Sequence, residues 1–422
     1  MVFVERVDYM RKDCLDKKLS NNILSLSQIA AEAKKNNPSV INATIGMLND
    51  SNDDFYTFKA VDEVLKTISY YDSFSYADTD GGDGFKDAVL NWIFGKYTSS
   101  FKQLYNVGVV ATPGGSGAIS TTFENYLNFG DKVMVPSVMW ETYITIAKER
   151  GCGVEKYDLY DSESNFNLNS IKESIIKLMP QQENIILVIN DPCHNPTGFC
   201  MTDKDYDDLI NLLNEFDYPF VLLMDVAYFD FYDVDGDIIR SRFHKLSKLN
   251  EKVLINFAFS ASKTFGIYGL RIGANILLSK DENEITNFNN AISYTARANW
   301  GSSSRLGISL VEKLLSTPSY YEMFKSEVRK VALMLQKRSD AFIIEANRVG
   351  LEMLPYERGF FVCVPANDPV LLMNKLHEYD VYVVVTKTCI RIALCAINEI
   401  EAKQLPQIIL KAKKELEGSK TV

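Results

Sequence analysis

Residues 220–228 read Phe220-Val221-Leu222-Leu223-Met224-Asp225-Val226-Ala227-Tyr228, a short apolar run that ends in a carboxylate. A strand that is buried on both faces of a parallel sheet has this composition, and its last residue lies at the carboxyl edge of the sheet. An unpaired buried carboxylate is costly, so Asp225 needs a cationic or hydrogen-bond-donating partner. The stretch therefore predicts a parallel strand that presents an acid at the sheet edge.

A second apolar run, residues 184–190, leads into Asp191-Pro192-Cys193-His194-Asn195-Pro196-Thr197-Gly198. The two Asp/Asn-Pro steps and the glycine predict a rigid turn rather than a helix. Between about residues 55 and 290, further apolar strands alternate with amphipathic stretches. This alternation predicts parallel βαβ units, and hence an α/β fold whose mainly parallel sheet is covered by helices.

The sequence after Trp300 has a different pattern. Residues 306–347 read as long helical sequence that is broken near Thr317-Pro318. Short strands are predicted after it, at 360–364, 381–385 and 389–394. This order of elements predicts a smaller α+β domain.

A lysine follows another apolar strand, in Phe257-Ala258-Phe259-Ser260-Ala261-Ser262-Lys263-Thr264-Phe265-Gly266, and Arg271 lies eight positions further on. An amine with hydroxyl groups and a fixed cation beside it suits a Schiff-base lysine next to a phosphate. A surface lysine that follows a strand would look the same in this segment alone. Other segments have to decide between these two interpretations.

Several such segments occur in a fixed order: Gly114-Gly115-Ser116-Gly117-Ala118, Trp140, Asn195-Pro196-Thr197-Gly198, Asp225-Val226-Ala227-Tyr228, Ser260-Ala261-Ser262-Lys263, Arg271 and Arg391. In this series the chain resembles the pyridoxal-phosphate-dependent aminotransferases of fold type I, specifically the aspartate and aromatic aminotransferases of class I/II. The resemblance covers nearly the whole chain. It implies a large cofactor-binding domain at 51–304 and a small domain formed by 1–50 and 305–422.

The resemblance also implies a cofactor site. Gly115 and Ser116 at a helix start, with Ser260 and Arg271, would bind the phosphate, and Tyr76 would reach the phosphate of the neighbouring subunit. Trp140 would lie against the cofactor ring. The remaining residues include the catalytic ones: Asp225 on the pyridine nitrogen, Asn195 and Tyr228 on the phenolic oxygen, and Lys263 as the Schiff base and proton carrier.

Two arginines are candidates for substrate binding. Arg391 lies in an otherwise apolar strand, where a permanent charge needs a partner, either an internal acid or, as the resemblance implies, the substrate α-carboxylate. The resemblance places Asn195 and Gly46 beside that carboxylate. Arg297 keeps the spacing from Lys263 of an arginine that, in the aspartate branch, holds the substrate side-chain carboxylate across the subunit boundary. An exposed interface arginine is the alternative for Arg297.

Three departures from the aspartate branch argue against strict aspartate specificity. Gly301-Ser302-Ser303-Ser304 stands where the branch has Asn-Pro-Pro, and Tyr143 stands where it has a histidine. Asn190 likewise replaces a family histidine behind the cofactor ring.

Composition excludes several classes of function. The 422 residues are 46% apolar, enough for a large core and about two domains, and the net charge of −10 leaves no average basic patch for nucleic acid or anionic membrane. Seven cysteines, an odd number without a Cys-x-x-Cys pair, fit a reducing compartment, and three dispersed histidines do not suggest a metal site. Neither a signal peptide nor a membrane-spanning run is recognisable. We therefore expect a cytoplasmic enzyme.

Taken together, these patterns predict an aminotransferase that moves an amino group from an acidic or aromatic L-amino acid to a 2-oxo acid, with 2-oxoglutarate as the expected acceptor. The resemblance implies that the reaction passes through a Lys263 aldimine and pyridoxamine phosphate, in a homodimer. A pyridoxal-phosphate-dependent β-lyase or synthase on the same fold is an alternative, since the cofactor motifs do not separate these reactions. A regulatory ligand-binding module is a further one, although the residues ahead of the large domain are too few and insufficiently basic for a DNA-binding domain.

Overall fold

The structure, a computed structural model, describes residues 9, 10, 14, 15, 17 and 23–418. Two predictions fall partly outside these residues: the absence of an N-terminal signal peptide and the outer ends of the small domain, at 1–8, 11–13, 16, 18–22 and 419–422. Among the described residues, no helix is both long and apolar enough to cross a membrane.

Seven strands form the larger sheet, in the order β2-β8-β7-β6-β5-β3-β4. Strand β8 is antiparallel to both of its neighbours, and the other pairings are parallel, which confirms the predicted mainly parallel sheet. The central strands β5 and β6 are buried along their whole length, as their Ile, Leu and Val content requires. Their ranges are β2 (Asn106–Thr112), β3 (Lys132–Pro136), β4 (Gly153–Tyr157), β5 (Ile185–Asn190), β6 (Phe220–Asp225), β7 (Val253–Ser260) and β8 (Gly273–Ser279).

Four strands form the smaller sheet, in the order β1-β10-β11-β9. Strand β1 is parallel to β10, and the other two pairings are antiparallel. This sheet therefore joins an N-terminal segment to the C-terminal third of the chain. The ranges are β1 (Ile41–Ala43), β9 (Phe361–Pro365), β10 (Val381–Val385) and β11 (Cys389–Ala393).

Sixteen α-helices lie within the described residues. They are α1 (Ile23–Asn36), α2 (Lys59–Leu65), α3 (Tyr70–Phe74), α4 (Asp83–Phe94), α5 (Thr98–Leu104), α6 (Gly114–Tyr126), α7 (Thr142–Glu149), α8 (Leu168–Leu178), α9 (Asp203–Asn214), α10 (Asp237–Lys245), α11 (Ala261–Thr264), α12 (Glu282–Asn299), α13 (Arg305–Ser316), α14 (Pro318–Val349), α15 (Pro369–His377) and α16 (Glu399–Gly418).

The long helix α14 begins and ends where its sequence requires. Pro318 occupies the first turn, where its missing N–H is not needed, and Gly350 ends the helix in the left-handed conformation. The predicted break near Thr317-Pro318 is thereby confirmed. Helices α14 and α16 contribute Phe342, Ala346, Leu405 and Ile409 to a core under the small sheet, distinct from the main cluster of the large sheet. The exact limits of the two domains remain a prediction.

The topology brings several polar residues to one edge of the large sheet. Strands β5, β6 and β7 run parallel and end at Asn190, Asp225 and Ser260 respectively, and Asn190 is paired with Asp225 in the register. Helix α11, which carries Lys263, follows β7 directly. The carboxyl edge is thus the place where a ligand site is expected in an open α/β sheet.

Candidate active site

Asp225 ends β6 and is almost completely buried. Its carboxylate accepts a hydrogen bond from the Tyr143 hydroxyl (2.6 Å, to Oδ2) and one from the backbone N–H of Ala227 (3.3 Å). Burial raises the pKa of the Asp225 carboxyl, whereas these two donors and the Lys263 ammonium oppose that shift. The acid therefore has the donor partners that its burial demands.

The side chain of Asn190 connects two of the loops at this edge. Its Nδ2 donates to the backbone oxygen of Asp225 (2.8 Å), and its Oδ1 accepts from the backbone N–H of Asn195 (2.8 Å). Asn195 in turn donates from Nδ2 to the hydroxyl of Tyr228 (3.3 Å). This chain of hydrogen bonds fixes Asp225, Asn195 and Tyr228 relative to one another.

Lys263 lies in α11, with its Nζ 5.3 Å from the ring centroid of Tyr268 and 5.9 Å from that of Tyr228. Burial, and secondly the guanidinium of Arg271, lower the pKa of the Lys263 amine to about 8. About a tenth of this amine is therefore unprotonated at pH 7, far more than for a free lysine. An unprotonated amine is the form that attacks a carbonyl carbon or accepts a proton.

Arg271 is held against the start of α6. It adopts a left-handed backbone conformation (φ 53°, ψ 61°), which costs a non-glycine residue about 1–2 kcal/mol. Its guanidinium donates to Ser262 Oγ (3.1 Å) and to two backbone oxygens, those of Tyr268 and Pro113. A Cβ at Gly114 would lie only 2.7 Å from Arg271 Nη2, so the glycine lets the guanidinium approach the helix N-terminus.

One cavity at the sheet edge unites most of the predicted cofactor residues. An amine, a carboxylate, a guanidinium, three serine hydroxyls and an indole ring face a common space. Its lining is Gly115, Ser116, Ile119, Trp140, Asn190, Asn195, Asp225, Ala227, Tyr228, Ser260, Ser262, Lys263 and Arg271.

Arg391 lies beside this cavity, in β11, and only 6% of its surface is exposed. Nη2 donates to the backbone oxygen of Thr44 (2.8 Å), Nη1 lies 3.5 Å from Asn195 Oδ1, and the guanidinium packs 4.3 Å over the Phe361 ring. Its buried Nε has no hydrogen-bond partner, and none of the described carboxylates forms an ion pair with it. The alternative of an internal acid partner therefore finds no support within the described part of the chain.

Gly46 lies in the segment that follows Thr44. A Cβ there would approach the Phe361 ring to 2.6 Å, so a larger residue would push this segment away from the ring beneath Arg391. The structure thus brings Gly46, Asn195 and Arg391 into one neighbourhood.

Tyr76 and Arg297 are not part of this arrangement within one chain. Tyr76 is 95% exposed, and Arg297 is exposed in the last turn of α12. Neither residue lines the cavity. Their predicted roles require a second chain.

Several residues at the site escaped the sequence analysis. Ser262 and Tyr268 lie close to Lys263, within or just beyond the quoted motif, and their hydroxyls could have been considered. Thr44 offers only a backbone oxygen to Arg391, and any residue type could supply that atom. The sequence analysis noted Tyr143 only as a departure from the aspartate branch, because its hydrogen bond to Asp225 joins residues 82 positions apart and depends on tertiary packing.

A second cavity, of about 350 Å³, lies away from Lys263, beside Arg240 and Tyr321. Three of its acids, Asp230, Asp235 and Asp237, already pair with Arg240, Arg329 and Lys96 respectively. In the described part of the chain, no group of three His, Cys, Asp or Glu side chains is placed to hold a metal ion. The cavity around Lys263 is therefore the candidate active site.

Comparisons with known proteins give a consistent result. The family model described as aminotransferase class I and II matches residues 39–409. The cytoplasmic aspartate aminotransferase of Dictyostelium discoideum is 25% identical over 350 residues, which are 81% of this chain and 78% of that protein.

Solved structures share the fold along nearly the whole chain. An aminotransferase from Anaerococcus prevotii superposes with a TM-score of 0.91 at 27% identity, covering 96% of this chain and all of that one. An aromatic-amino-acid aminotransferase from Burkholderia pseudomallei, covalently bound to pyridoxal phosphate, gives a TM-score of 0.78 at 20% identity, covering 96% of this chain and 100% of that one. At this lower identity the second likeness establishes the fold alone.

Proposed function

The chain belongs to the class I and II aminotransferases, and from this premise we propose that it moves the amino group of an acidic or aromatic L-amino acid to 2-oxoglutarate. Members of this family depend on pyridoxal phosphate and act on amino acids and 2-oxo acids. The observation that carries the proposal is Arg391, a buried guanidinium with no carboxylate partner among the described residues, next to the cavity that contains Lys263. A substrate α-carboxylate satisfies that charge.

The donor set of the cavity fits pyridoxal phosphate. Arg271, the three serine hydroxyls and the N-terminus of α6 form an anion-binding end, where the missing Cβ of Gly114 leaves room for the guanidinium. Asp225 supplies the negative charge that a protonated pyridine nitrogen needs, and Trp140 supplies a flat face for the ring. Asn195 and Tyr228 would donate hydrogen bonds to the ring oxygen.

Pyridoxal phosphate, when bound, supplies an aldehyde that takes up the amino group and a conjugated ring that withdraws electrons from the substrate Cα. Lys263 would anchor the aldehyde and, after release by the substrate amine, carry the proton that leaves Cα. The lowered pKa of about 8 suits this role, because an amine that works as a base near neutral pH must be partly unprotonated. Asp225 would keep the proton on the ring nitrogen.

Arg391 would bind the substrate α-carboxylate through two parallel hydrogen bonds. Asn195 lies 3.5 Å from Nη1, and the Thr44 oxygen holds Nη2 from the other side. These contacts fix the guanidinium plane before substrate arrives, so little ordering is needed on binding.

Specificity for acidic or aromatic donors is proposed to arise in a homodimer. Arg297 is exposed and forms no ion pair with any described residue, and Tyr76 projects fully into solvent. Contributed to the partner's cavity, Arg297 would bind a side-chain carboxylate, whereas an aromatic donor would make no comparable contact with the guanidinium. Sedimentation should show a dimer at assay concentrations, and an active monomer would contradict this arrangement.

The experiment that tests this specificity is a single-turnover panel of L-amino acids with wild type and Arg297→Ala. Loss of one charge-assisted hydrogen-bonded pair should raise the apparent KM for glutamate, aspartate and 2-oxoglutarate by roughly 30- to 150-fold, since such a contact is worth about 2–3 kcal/mol. Aromatic donors should be largely unaffected. Equal losses for acidic and aromatic donors would show that Arg297 has only a general structural role.

We also propose a cytoplasmic location. All seven cysteines are free thiols, and six of them are buried. Cysteines that are retained without disulfides fit a reducing compartment. Cell fractionation that recovers the protein outside the cytoplasm would contradict this proposal.

A further inference from the structure

The shortest hydrogen bond to the Asp225 carboxylate comes from Tyr143, at 2.6 Å. Tyr143 lies in α7 and is completely buried, with its ring packed edge-on against Trp140 at 5.4 Å between centroids. Burial and this ring contact restrict the motion of the Tyr143 side chain. A phenol has one O–H group, and that hydrogen is donated to Asp225.

Few other groups act on this carboxylate. The remaining hydrogen bond to the carboxylate is the longer one from the Ala227 N–H. The Asn190 amide does not contribute, since it donates to the backbone oxygen of Asp225. The titratable groups that influence the Tyr143–Asp225 pair are Tyr157 of β4, Tyr228 of the loop after β6 and Lys263 of α11. Of these, only Lys263 carries a charge near neutral pH, and the proposed chemistry removes that charge.

We propose that Tyr143 is a positioning residue whose hydroxyl keeps Asp225 ionised, so that the proton shared by Asp225 and the pyridine nitrogen stays on nitrogen. This inference rests on the proposed placement of the cofactor ring nitrogen against Asp225. The phenol stabilises the carboxylate more than the neutral acid, since a hydrogen bond to a charged acceptor is the stronger one. In its absence the shared proton moves toward the carboxyl oxygen.

The choice of a phenol has a second consequence. Burial and the neighbouring Asp225 charge raise the pKa of Tyr143 well above its usual value, so the hydroxyl stays protonated and neutral over the working pH range. A histidine at this position, as in the aspartate branch that the sequence resembles, could gain a proton and a charge. Tyr143 gives a constant hydrogen bond whose strength does not change with pH.

The test uses enzyme loaded with pyridoxal phosphate that is labelled with ¹⁵N in the ring, because the nitrogen chemical shift reports protonation directly. In wild type the signal should stay at the protonated position throughout the stable pH range. In Tyr143→Phe it should move toward the unprotonated position at the alkaline end of that range, because loss of one hydrogen bond to a charged group lowers the pKa of the ring nitrogen by about one to two pH units. Tyr143→Met, which also removes the donor at similar volume, should give the same shift.

Tyr157→Phe is the matched control, because Tyr157 is equally buried but donates its hydroxyl hydrogen to the backbone oxygen of Val188 (3.0 Å). It should leave the nitrogen signal unchanged. A wild-type signal in both Tyr143 variants, or equal shifts in the Tyr143 and Tyr157 variants, would overturn the inference. Asp225→Asn distinguishes the role of Tyr143 from the proposed placement of the ring nitrogen. If that variant also retains the wild-type signal, the proposed ring placement is wrong, whereas a shift in Asp225→Asn alone refutes only the role of Tyr143.

Discussion

Replacement of Arg391 tests the substrate-binding part of the account. The guanidinium is fixed by Thr44 and packs 4.3 Å over Phe361, with its Nε unpartnered. Arg391→Lys keeps the charge but cannot form two parallel hydrogen bonds to a carboxylate. With one charge-assisted bond worth about 1.5–3 kcal/mol, kcat/KM for any amino acid should fall by about 10- to 150-fold. Arg391→Ala loses both bonds, so the fall should be roughly 10²- to 10⁴-fold.

The assay compares two amines in the single-turnover half-reaction. L-Tyrosine carries the α-carboxylate, and tyramine is the same molecule without it. We expect the Arg391 variants to lose activity toward tyrosine and to keep the slow wild-type reaction with tyramine, because tyramine makes no contact with the guanidinium. Equal losses for the two amines would refute the assignment of Arg391 to the α-carboxylate.

A second buried arginine serves as the control. Arg338 donates to the backbone oxygens of Cys395, Asn49 and Asp50 and has no free side toward the cavity around Lys263. Arg338→Lys should lower the melting temperature and leave the preference for tyrosine over tyramine unchanged. A selective loss of tyrosine activity in this variant would mean that general loosening, and not carboxylate binding, explains the Arg391 result.

Three further predictions follow from the same contacts. The pKa of Lys263 is lowered from 10.5 to about 8 in the folded state, so between these pH values the unfolded chain binds more protons than the folded one. The unfolding free energy of the apoenzyme, measured by urea denaturation, should therefore rise with pH across this window relative to that of Lys263→Met. The same pH dependence in both proteins would contradict this. Asn190→Ala breaks the connection between the Asp225 and Asn195 loops and should lower the melting temperature and kcat together, whereas loss of stability without loss of kcat would restrict Asn190 to a structural role. Finally, if Tyr76 serves the neighbouring site, an equimolar mixture of inactive Tyr76→Ala and Lys263→Ala subunits should regain roughly one quarter of wild-type activity. Half of the dimers are then mixed, and each mixed dimer has one intact site out of two. A mixture that stays inactive would show that Tyr76 acts within its own chain.

The fold could be predicted to a large extent because its signals are local. The fully apolar run before Asp225 is the signature of a two-sided buried strand, and the break at Pro318 follows from the missing N–H of proline. The strands predicted at 360–364, 381–385 and 389–394 agree with β9, β10 and β11 to within one residue. The resemblance implied that the N-terminal segment joins the small domain, but the pairing of Ile41–Ala43 with β10 was not predicted, since it joins segments more than 300 residues apart.

The site could be predicted where a side chain belongs to a contiguous motif. Lys263, Ser260 and Arg271 lie within twelve residues of one another, and the structure brings them into one cavity. The Tyr143 hydrogen bond and the Thr44 backbone contact depend on tertiary packing, which no local pattern records. Tyr76 and Arg297 stay predictions because their proposed partners lie on another chain.

The most direct test of the central claim is a single turnover without an acceptor. Enzyme loaded with pyridoxal phosphate is mixed with one equivalent of L-glutamate or L-tyrosine, and 2-oxo acid, free ammonia and protein-bound cofactor are measured together. We expect 2-oxo acid and bound pyridoxamine phosphate to form in equal amounts, up to one equivalent per active site, with no free ammonia, and no turnover in Lys263→Ala. Stoichiometric ammonia release without pyridoxamine phosphate, or full turnover in Lys263→Ala, would contradict the assignment of Lys263 as the residue through which this chain transfers amino groups.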